Sequence, residues 1–239
     1  MPERVVITGA SRGIGLELAR QHAARGDSVL ATCRRPRESA ALAALAIAAR
    51  KEIEVVPLDV TDDRTIAAAA LTAEEAWGAV DVLWSNAAVY SGGSGLESDP
   101  SLVASLKREE GLSVFQTNTL GAILVAQAFL PLLRRGTRPR LAVLSSGYGS
   151  LALNRGFPYW YGASKAALNM LHRSLASDPA ARGVTVLMLS PGWVRTDMGG
   201  PNASSSVEAS VAGLLRVLDE ARPEQNGAFL SWRGESVPF

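Results

Sequence analysis

The sequence predicts an α/β protein, a doubly wound sheet of about seven parallel strands with helices on both faces, in one domain spanning residues 1–239. Three observations predict it. Short apolar or β-branched runs of strand length alternate with longer Ala/Leu-rich segments of helical spacing, the order that parallel strands joined by crossover helices require. The runs lack polar alternation, as strands covered on both faces do. No repeat of solenoid period and no linker interrupts the alternation.

Taken in order, the first strand is "RVVITG" at 4–9, followed by a helix over 13–25. "SVLATC" at 28–33 leads into a helix over 38–50, and "IEVVPLDV" at 53–60 into one over 64–77. "VDVLWSNA" at 80–87 precedes a Gly/Ser-rich loop at 91–100 and a long helix over 113–134. "RLAVLSS" at 140–146 is followed by a helix over 161–177, and "VTVLMLSP" at 184–191 by a polar insertion at 196–205. The amphipathic stretch "SVEASVAGLLRVLDEA" at 206–221 and the run "GAFLSW" at 227–232 complete the pattern as a last helix and a seventh strand. Loops beyond strand ends, such as 91–100 and 196–205, are where this architecture builds its site.

Composition narrows the function. The chain has 239 residues and 47% apolar content, enough for a large buried core. Its 24 basic and 23 acidic residues leave a formal charge of +1, which supplies no field for nucleic acid or an anionic membrane; a small-molecule ligand is expected. "MPERVVITGA" enters a strand without a signal pattern, and no run approaches ~18 uninterrupted apolar residues, so a cytoplasmic protein is expected. Cys33 is the single cysteine, which excludes an internal disulfide and a cysteine metal cluster. His22 and His172 lie in predicted helices, apart from any carboxylate or cysteine pattern; a structural or surface role is expected for both, and no metal site.

"TGASRGIG" at 8–15 follows the first strand and opens the first helix, placing Gly9, Gly13 and Gly15 in GxxxGxG spacing around Ser11, Arg12 and Ile14. Glycines there allow a sharp turn and close backbone approach, while the free amides and the positive end of the helix dipole attract a pyrophosphate. Glycine also serves tight strand-to-helix turns for geometry alone; the position after strand one favours the dinucleotide-binding, Rossmann-type version of the sheet. After strand two, "ATCRRP" puts Arg34 and Arg35 where an acid would bond a ribose 2′-hydroxyl. With Arg12, they favour NADP(H) over NAD, against the alternative of solvated surface charges.

In "YWYGASKAALN" at 159–169, Tyr161 and Lys165 are four apart and share a helix face; Tyr159 has no such partner. A phenol with a pKa of roughly 10 is a poor acid or base at neutral pH unless a nearby charge acts on it, and Lys165 is that charge. Alone, the short pattern equally describes a surface Tyr and Lys.

These motifs do not stand alone. "TGASRGIG", "LDV", "SNAAV", "SSGYG", "YGASK" and "PGWVRT" occur in the order found in short-chain dehydrogenases/reductases, and nearly the whole chain resembles that family. "ATCRRP", "YWYGASKAALNM" and the segment after "SPGWVRT" look most like its C-factor-like and sniffer-like carbonyl reductases. The resemblance implies that Tyr161 is the proton donor or acceptor, that Lys165 lowers its pKa and holds the nicotinamide ribose, and that Ser146 polarises the substrate oxygen. Ser146 is preferred to Ser145, the fallback, because it lies three positions before Gly149. Asn118 in "FQTNTLG" matches the fourth catalytic residue, whose main chain helps hold a proton-relaying water. Asp59 and Val60 match the adenine side, with capping of the next helix as the alternative for Asp59. Asn86, Ala87 and Ala88 match a strand-four motif that departs from the usual NNAG at Ser85 and Ala88. Pro191, Gly192, Val194 and Thr196 match the nicotinamide cradle.

The implied reaction is NADPH-dependent reduction of an aldehyde or ketone with a hydrophobic body. Expected substrate walls are Ser146, Tyr148, Phe157, Trp160 and Trp193, with Tyr159 as a wall or as part of the packed helix entry. Competing readings are a cofactor-binding sensor or signalling protein on the same scaffold and a dehydratase or epimerase using bound NAD(P). The resemblance also implies a homodimer or homotetramer packed through 113–134 and 161–177.

Overall fold

The computed structural model describes residues 2–49, 52–90, 103, 106–154, 156 and 158–239. Seven strands form one sheet in the order β3-β2-β1-β4-β5-β6-β7, every neighbouring pair parallel. They are β1 (Arg4–Ile7), β2 (Ser28–Cys33), β3 (Ile53–Pro57), β4 (Val82–Ser85), β5 (Arg140–Leu144), β6 (Thr185–Ser190) and β7 (Phe229–Ser231). The helices are α1 (Gly13–Ala24), α2 (Ala40–Ala49), α3 (Asp63–Trp77), α4 (Arg108–Phe115), α5 (Ala122–Leu133), α6 (Tyr159–Ala176) and α7 (Val207–Asp219). The expected Rossmann-type doubly wound sheet is the observed fold.

Side chains that alternate along each strand split the interior in two. Val6, Leu83, Leu141 and Val143 face the layer of α3, α5 and α6, where Phe129 and Leu168 are buried. Val5, Ile7, Trp84 and Leu144 face the layer of α1, α2 and α7, where Leu18 and Leu214 are buried. Helix ends follow local chemistry: Asp62 accepts the Arg64 amide at the start of α3 (3.0 Å), Gly78 ends it with φ +67°, and Ser206 accepts the Ala209 amide at the start of α7. At α1 the N-cap position is Arg12, whose side chain makes no capping bond.

Several expected strands are shorter than the apolar runs, and those that border the site lose residues at the carboxyl end. β1 stops before Thr8 and Gly9, β3 before Asp59 and Val60, β4 before Asn86, and β5 before Ser145 and Ser146. Those residues leave the sheet to build the crevice beside the point where β1 is flanked by β2 on one side and β4 on the other. The helix expected from 113 instead begins at Arg108, with Glu109 and Glu110 in its first turn, where the helix dipole favours acids. Its charged start and Gly111 hid it from apolar periodicity. It runs through a π-helical turn, Gln116–Gly121, into α5. This Arg108–Leu133 helix has the length and composition to cross a membrane, yet α5 packs against α3, β4, β5 and α6 as a core helix does. The loop expected at 91–100 lies outside the described residues.

Candidate active site

A cleft of about 530 Å³ opens at the carboxyl ends of the strands. The loop after β1 forms its floor, with Gly9, Ser11, Arg12, Gly13, Ile14 and Gly15 all lining it. Gly9 and Gly13 adopt φ +69° and +54°, conformations that side chains disfavour. A Cβ on Gly15 would run into the Gly9 carbonyl and come within 2.6 Å of Asn86 Nδ2. The loop is stitched to β4: Asn86 Nδ2 donates to the carbonyls of Thr8 (2.7 Å) and Gly9 (3.1 Å). The Thr8 hydroxyl accepts the amides of Asn86 and Ala87. An uncapped helix N-terminus opened by Gly13 and preceded by a turn at Gly9, both at positive φ, fits a pyrophosphate: the amides at the helix start have no capping side chain.

At the β2 and β3 end, Arg34 lines the cleft, whereas Arg35 points to the surface and pairs with Glu38 at 3.2 Å. Arg12 pairs with Asp197 at 3.2 Å across the cleft mouth. Asp59 lines the cleft and accepts both the amide and hydroxyl of Thr61, while Asp62 caps α3. Val60 lines the cleft as well and is packed by Gly121 of the π turn, where a Cβ would meet its carbonyl oxygen at 2.5 Å.

At the other end the two serines after β5 diverge. Ser145 is buried, lines the cleft and donates its amide to the Leu189 carbonyl, and its hydroxyl has no partner among the described residues. Ser146 caps a short turn through the Tyr148 amide and hydrogen-bonds the Tyr161 phenol, which lowers the phenol's pKa. Burial outweighs that bond, and with Tyr90 and Tyr148 nearby the Tyr161 phenol is pushed up to about 12. Tyr161 therefore holds its proton at neutral pH. Lys165 lies one turn on, its Nζ 5.7 Å from the centre of the Tyr161 ring and donating to the Leu144 carbonyl at 2.7 Å. Burial brings the ammonium down to about 7. Burial works on both members of the pair, raising the phenol and lowering the ammonium, so each is pushed toward its neutral form.

Asn118 sits in the π turn, behind the cleft rather than in it, and is 1% exposed. Its amide group grips one residue from both sides, accepting the Val89 N–H (2.8 Å) and donating to the Val89 carbonyl (2.9 Å). It also donates to Ser164 Oγ at 3.1 Å, and Ser164 in turn donates to the Tyr161 carbonyl. The widened helical turn, the β4 exit and α6 are thereby held in register.

The family model for short chain dehydrogenases matches residues 3–206. The chain belongs to that family. It is 43% identical over 163 residues to C-signal of Myxococcus xanthus, covering 68% of this chain and 94% of that protein. A carbonyl reductase from chicken fatty liver, solved with NADPH bound, superposes with TM-score 0.88 at 32% identity, covering 100% of this chain and 99% of the other. Carbonyl reductase Sniffer of D. melanogaster also superposes at 0.88, with 27% identity and full coverage of both chains. The resemblance to C-factor-like and sniffer-like proteins read from the motifs is therefore found in both sequence and structure.

In this short-chain dehydrogenase the remaining expected positions divide. Ala87, Ala88, Pro191 and Thr196 line the cleft. Gly192 instead turns with φ +79° against the Trp232 indole, and Val194 is buried in pairing with Ser205. The Thr196 hydroxyl accepts the Gly199 amide (3.1 Å) within its own turn. Tyr148 is half-exposed with its ring 6.4 Å from that of Tyr161. Trp160, expected as a substrate wall, faces α4, where Gly111 leaves room for its indole; Trp193 is half-exposed and tied to the Gly199 carbonyl outside the cleft lining. Both belong to helix-helix or turn packing. Tyr159 is exposed at the helix entry, and Phe157 lies outside the described residues.

Sequence reasoning passed over Thr8, Tyr90 and Thr117, whereas Asp197 and Met198 fall in the 196–205 insertion where it expected the site. Thr8 sat inside the quoted "TGASRGIG" motif, a usable signal; Tyr90 and Thr117 reach the cleft only through folding. His22 is fully buried and does have a carboxylate: its Nδ1 bonds Asp27 (2.7 Å) and its Nε2 accepts the Trp84 indole N–H (2.9 Å). His172 is buried against α5, bonded to the Leu168 carbonyl and brought down to about 4 by burial, so it is neutral. Among the described residues no group of acidic, His and Cys side chains is arranged to hold a metal.

Proposed function

We propose that this protein is an NADPH-dependent carbonyl reductase that converts an aldehyde or ketone with a hydrophobic body to its alcohol. The observation that carries the reading is the Tyr161–Lys165 pair, one helical turn apart in the cleft whose other end is the glycine loop, with Ser146 acting on the Tyr161 phenol from the turn after β5. When bound, NADPH supplies the hydride. The Gly9–Gly15 loop takes the pyrophosphate, and Arg34 with Arg12 takes the 2′-phosphate, Arg12 exchanging Asp197 for it. Asp59, Val60 and Asn86 to Ala88 border the adenine and ribose side, and Pro191 and Thr196 the nicotinamide. Lys165 bonds the nicotinamide ribose hydroxyls.

Ser146 donates a hydrogen bond to the substrate oxygen as negative charge develops there, and Tyr161 delivers the proton. A phenol pushed up to about 12 suits this direction, since an acid must carry its proton when substrate arrives. The NADPH-bound and Sniffer carbonyl reductases that share the fold support the reading. We place the protein in the cytoplasm, as a homodimer or homotetramer formed through α4, α5 and α6.

The test is NADPH consumption with a carbonyl panel; consumption also separates reduction from a dehydratase or epimerase, which regenerates its cofactor. Tyr161→Phe is expected to lower turnover by about 10² to 10⁴-fold while retaining NADPH binding, and Tyr159→Phe to have a far smaller effect. Retention of more than about a tenth of the rate by Tyr161→Phe overturns the assignment. The 43% identity to C-signal favours a signalling role as the second reading. In cells, a pure sensor tolerates Tyr161→Phe and fails with a glycine-loop variant, whereas an enzyme fails with both.

A further inference from the structure

Three of the chain's four tyrosines converge from three separate elements. Tyr90 comes from the segment after β4, Tyr148 from the turn after β5 and Tyr161 from the first turn of α6. The Tyr90 ring centre is 5.2 Å from that of Tyr161, with the planes tilted by 57°. The Tyr148 ring stands edge-on to Tyr161, at 6.4 Å and 77°.

Tyr90 lines the cleft and belongs to neither buried core, so its ring is not consumed in holding the fold. Its backbone is nonetheless held firmly. The residue before it, Val89, is gripped at both N–H and C=O by the buried Asn118 amide, which fixes where the Tyr90 side chain leaves the chain. An aromatic wall this close to the proton donor meets whatever group is attached to the carbonyl carbon. Ring faces and edges attract other π systems in offset or tilted geometry, an attraction that a saturated ring of equal carbon count lacks.

We propose that Tyr90 is a specificity-determining residue, selecting carbonyl compounds conjugated to a flat aromatic ring over saturated ones of the same size. This deepens the carbonyl-reductase reading and rests on it. Tyr90 and Tyr148 also both raise the proton affinity of Tyr161, as closely packed phenols do.

Binding is measured calorimetrically on the NADP⁺-loaded protein with benzaldehyde and with cyclohexanecarbaldehyde, which have the same carbon skeleton. The wild type is expected to favour benzaldehyde by about two- to tenfold. Tyr90→Phe keeps the preference; Tyr90→Leu, apolar but without a π face, brings the ratio to near one. Tyr90→Met provides the same comparison if the leucine variant does not fold. A wild type without preference, or a leucine or methionine variant that retains it, overturns the assignment. The two readings fail separately. Benzaldehyde preference without any NADPH turnover overturns the reductase and leaves Tyr90 as an aromatic recognition wall, whereas turnover without preference overturns Tyr90 alone.

Discussion

Lys165 carries the largest electrostatic penalty in the site. It is 3% exposed, and burial brings its pKa down to about 7 from ~10.4 for a free lysine. Below about pH 7 both folded and unfolded chains hold the proton and the full penalty applies; between about 7 and 10 only the unfolded chain holds it, so stability rises with pH. The slope from this group is about 1.4 kcal/mol per pH unit. Without cofactor, the wild-type urea midpoint is expected to climb from pH 7 to 9. Lys165→Met should be more stable than wild type at pH 7 and nearly flat across that window. A methionine variant no more stable at pH 7 shows that the ammonium is not desolvated. The residue proposed to hold the nicotinamide ribose is, in the free protein, a cost to folding.

At the scale of the element, the π turn between α4 and α5 does two jobs. It aims Asn118 at Val89, and it sets Gly121 against the Val60 carbonyl. Gly121→Ala forces a Cβ to within 2.5 Å of that oxygen, and backbone cannot step aside as a flexible side chain would. We expect a loss of about 1–3 kcal/mol by urea unfolding and a raised KM for NADPH, because Val60 lines the cleft. Gly147→Ala is the stability control: nothing lies within 4 Å of its added Cβ, and its change should stay within about 0.5 kcal/mol. Equal effects of the two substitutions would remove close packing as the reason for glycine at 121. The apolar periodicity of 113–134 announced this helix, but not the turn inside it. A π turn adds one residue to one helical loop, which leaves the hydrophobic pattern on either side intact.

At the scale of the whole molecule, the layer of α1, α2 and α7 is pinned to the sheet by buried polar links as well as by apolar packing. Trp84 in the central strand donates to His22 of α1, and His22 bonds Asp27 beyond the turn at Gly26, whose second oxygen accepts the Glu3 amide. His22→Leu leaves the Trp84 N–H without its acceptor and removes a buried partner from Asp27. A loss of about 2–5 kcal/mol is expected in chemical denaturation, with the NADPH KM little changed, since none of the three residues lines the cleft. A loss below about 1 kcal/mol would mean that the chain of bonds is replaced by water at little cost. Adjoining this chain through Glu3, Arg140 is buried between Glu3 and Asp219, a second polar tie between the sheet and α7.

What could be read from the linear chain was whatever depends on near neighbours. Strand and helix alternation follows from periodicity, the glycine loop from glycines two to four apart, and the Tyr161–Lys165 pair from one helical turn. Contacts between residues far apart in the chain were set by folding. Asn118 meets Val89, His22 meets Trp84 and Tyr90 meets Tyr161 because strands and crossover helices bring their elements together. The same separation explains the expectations that moved: Trp160 has the residue type of a pocket wall, but α4 presents it with Gly111, and its indole turns there. Charge shows the division most clearly. The pairing of Tyr161 with Lys165 is a matter of spacing, whereas the phenol's hold on its proton and the lysine's weakened hold on its own come from burial, which no residue carries in its own chemistry.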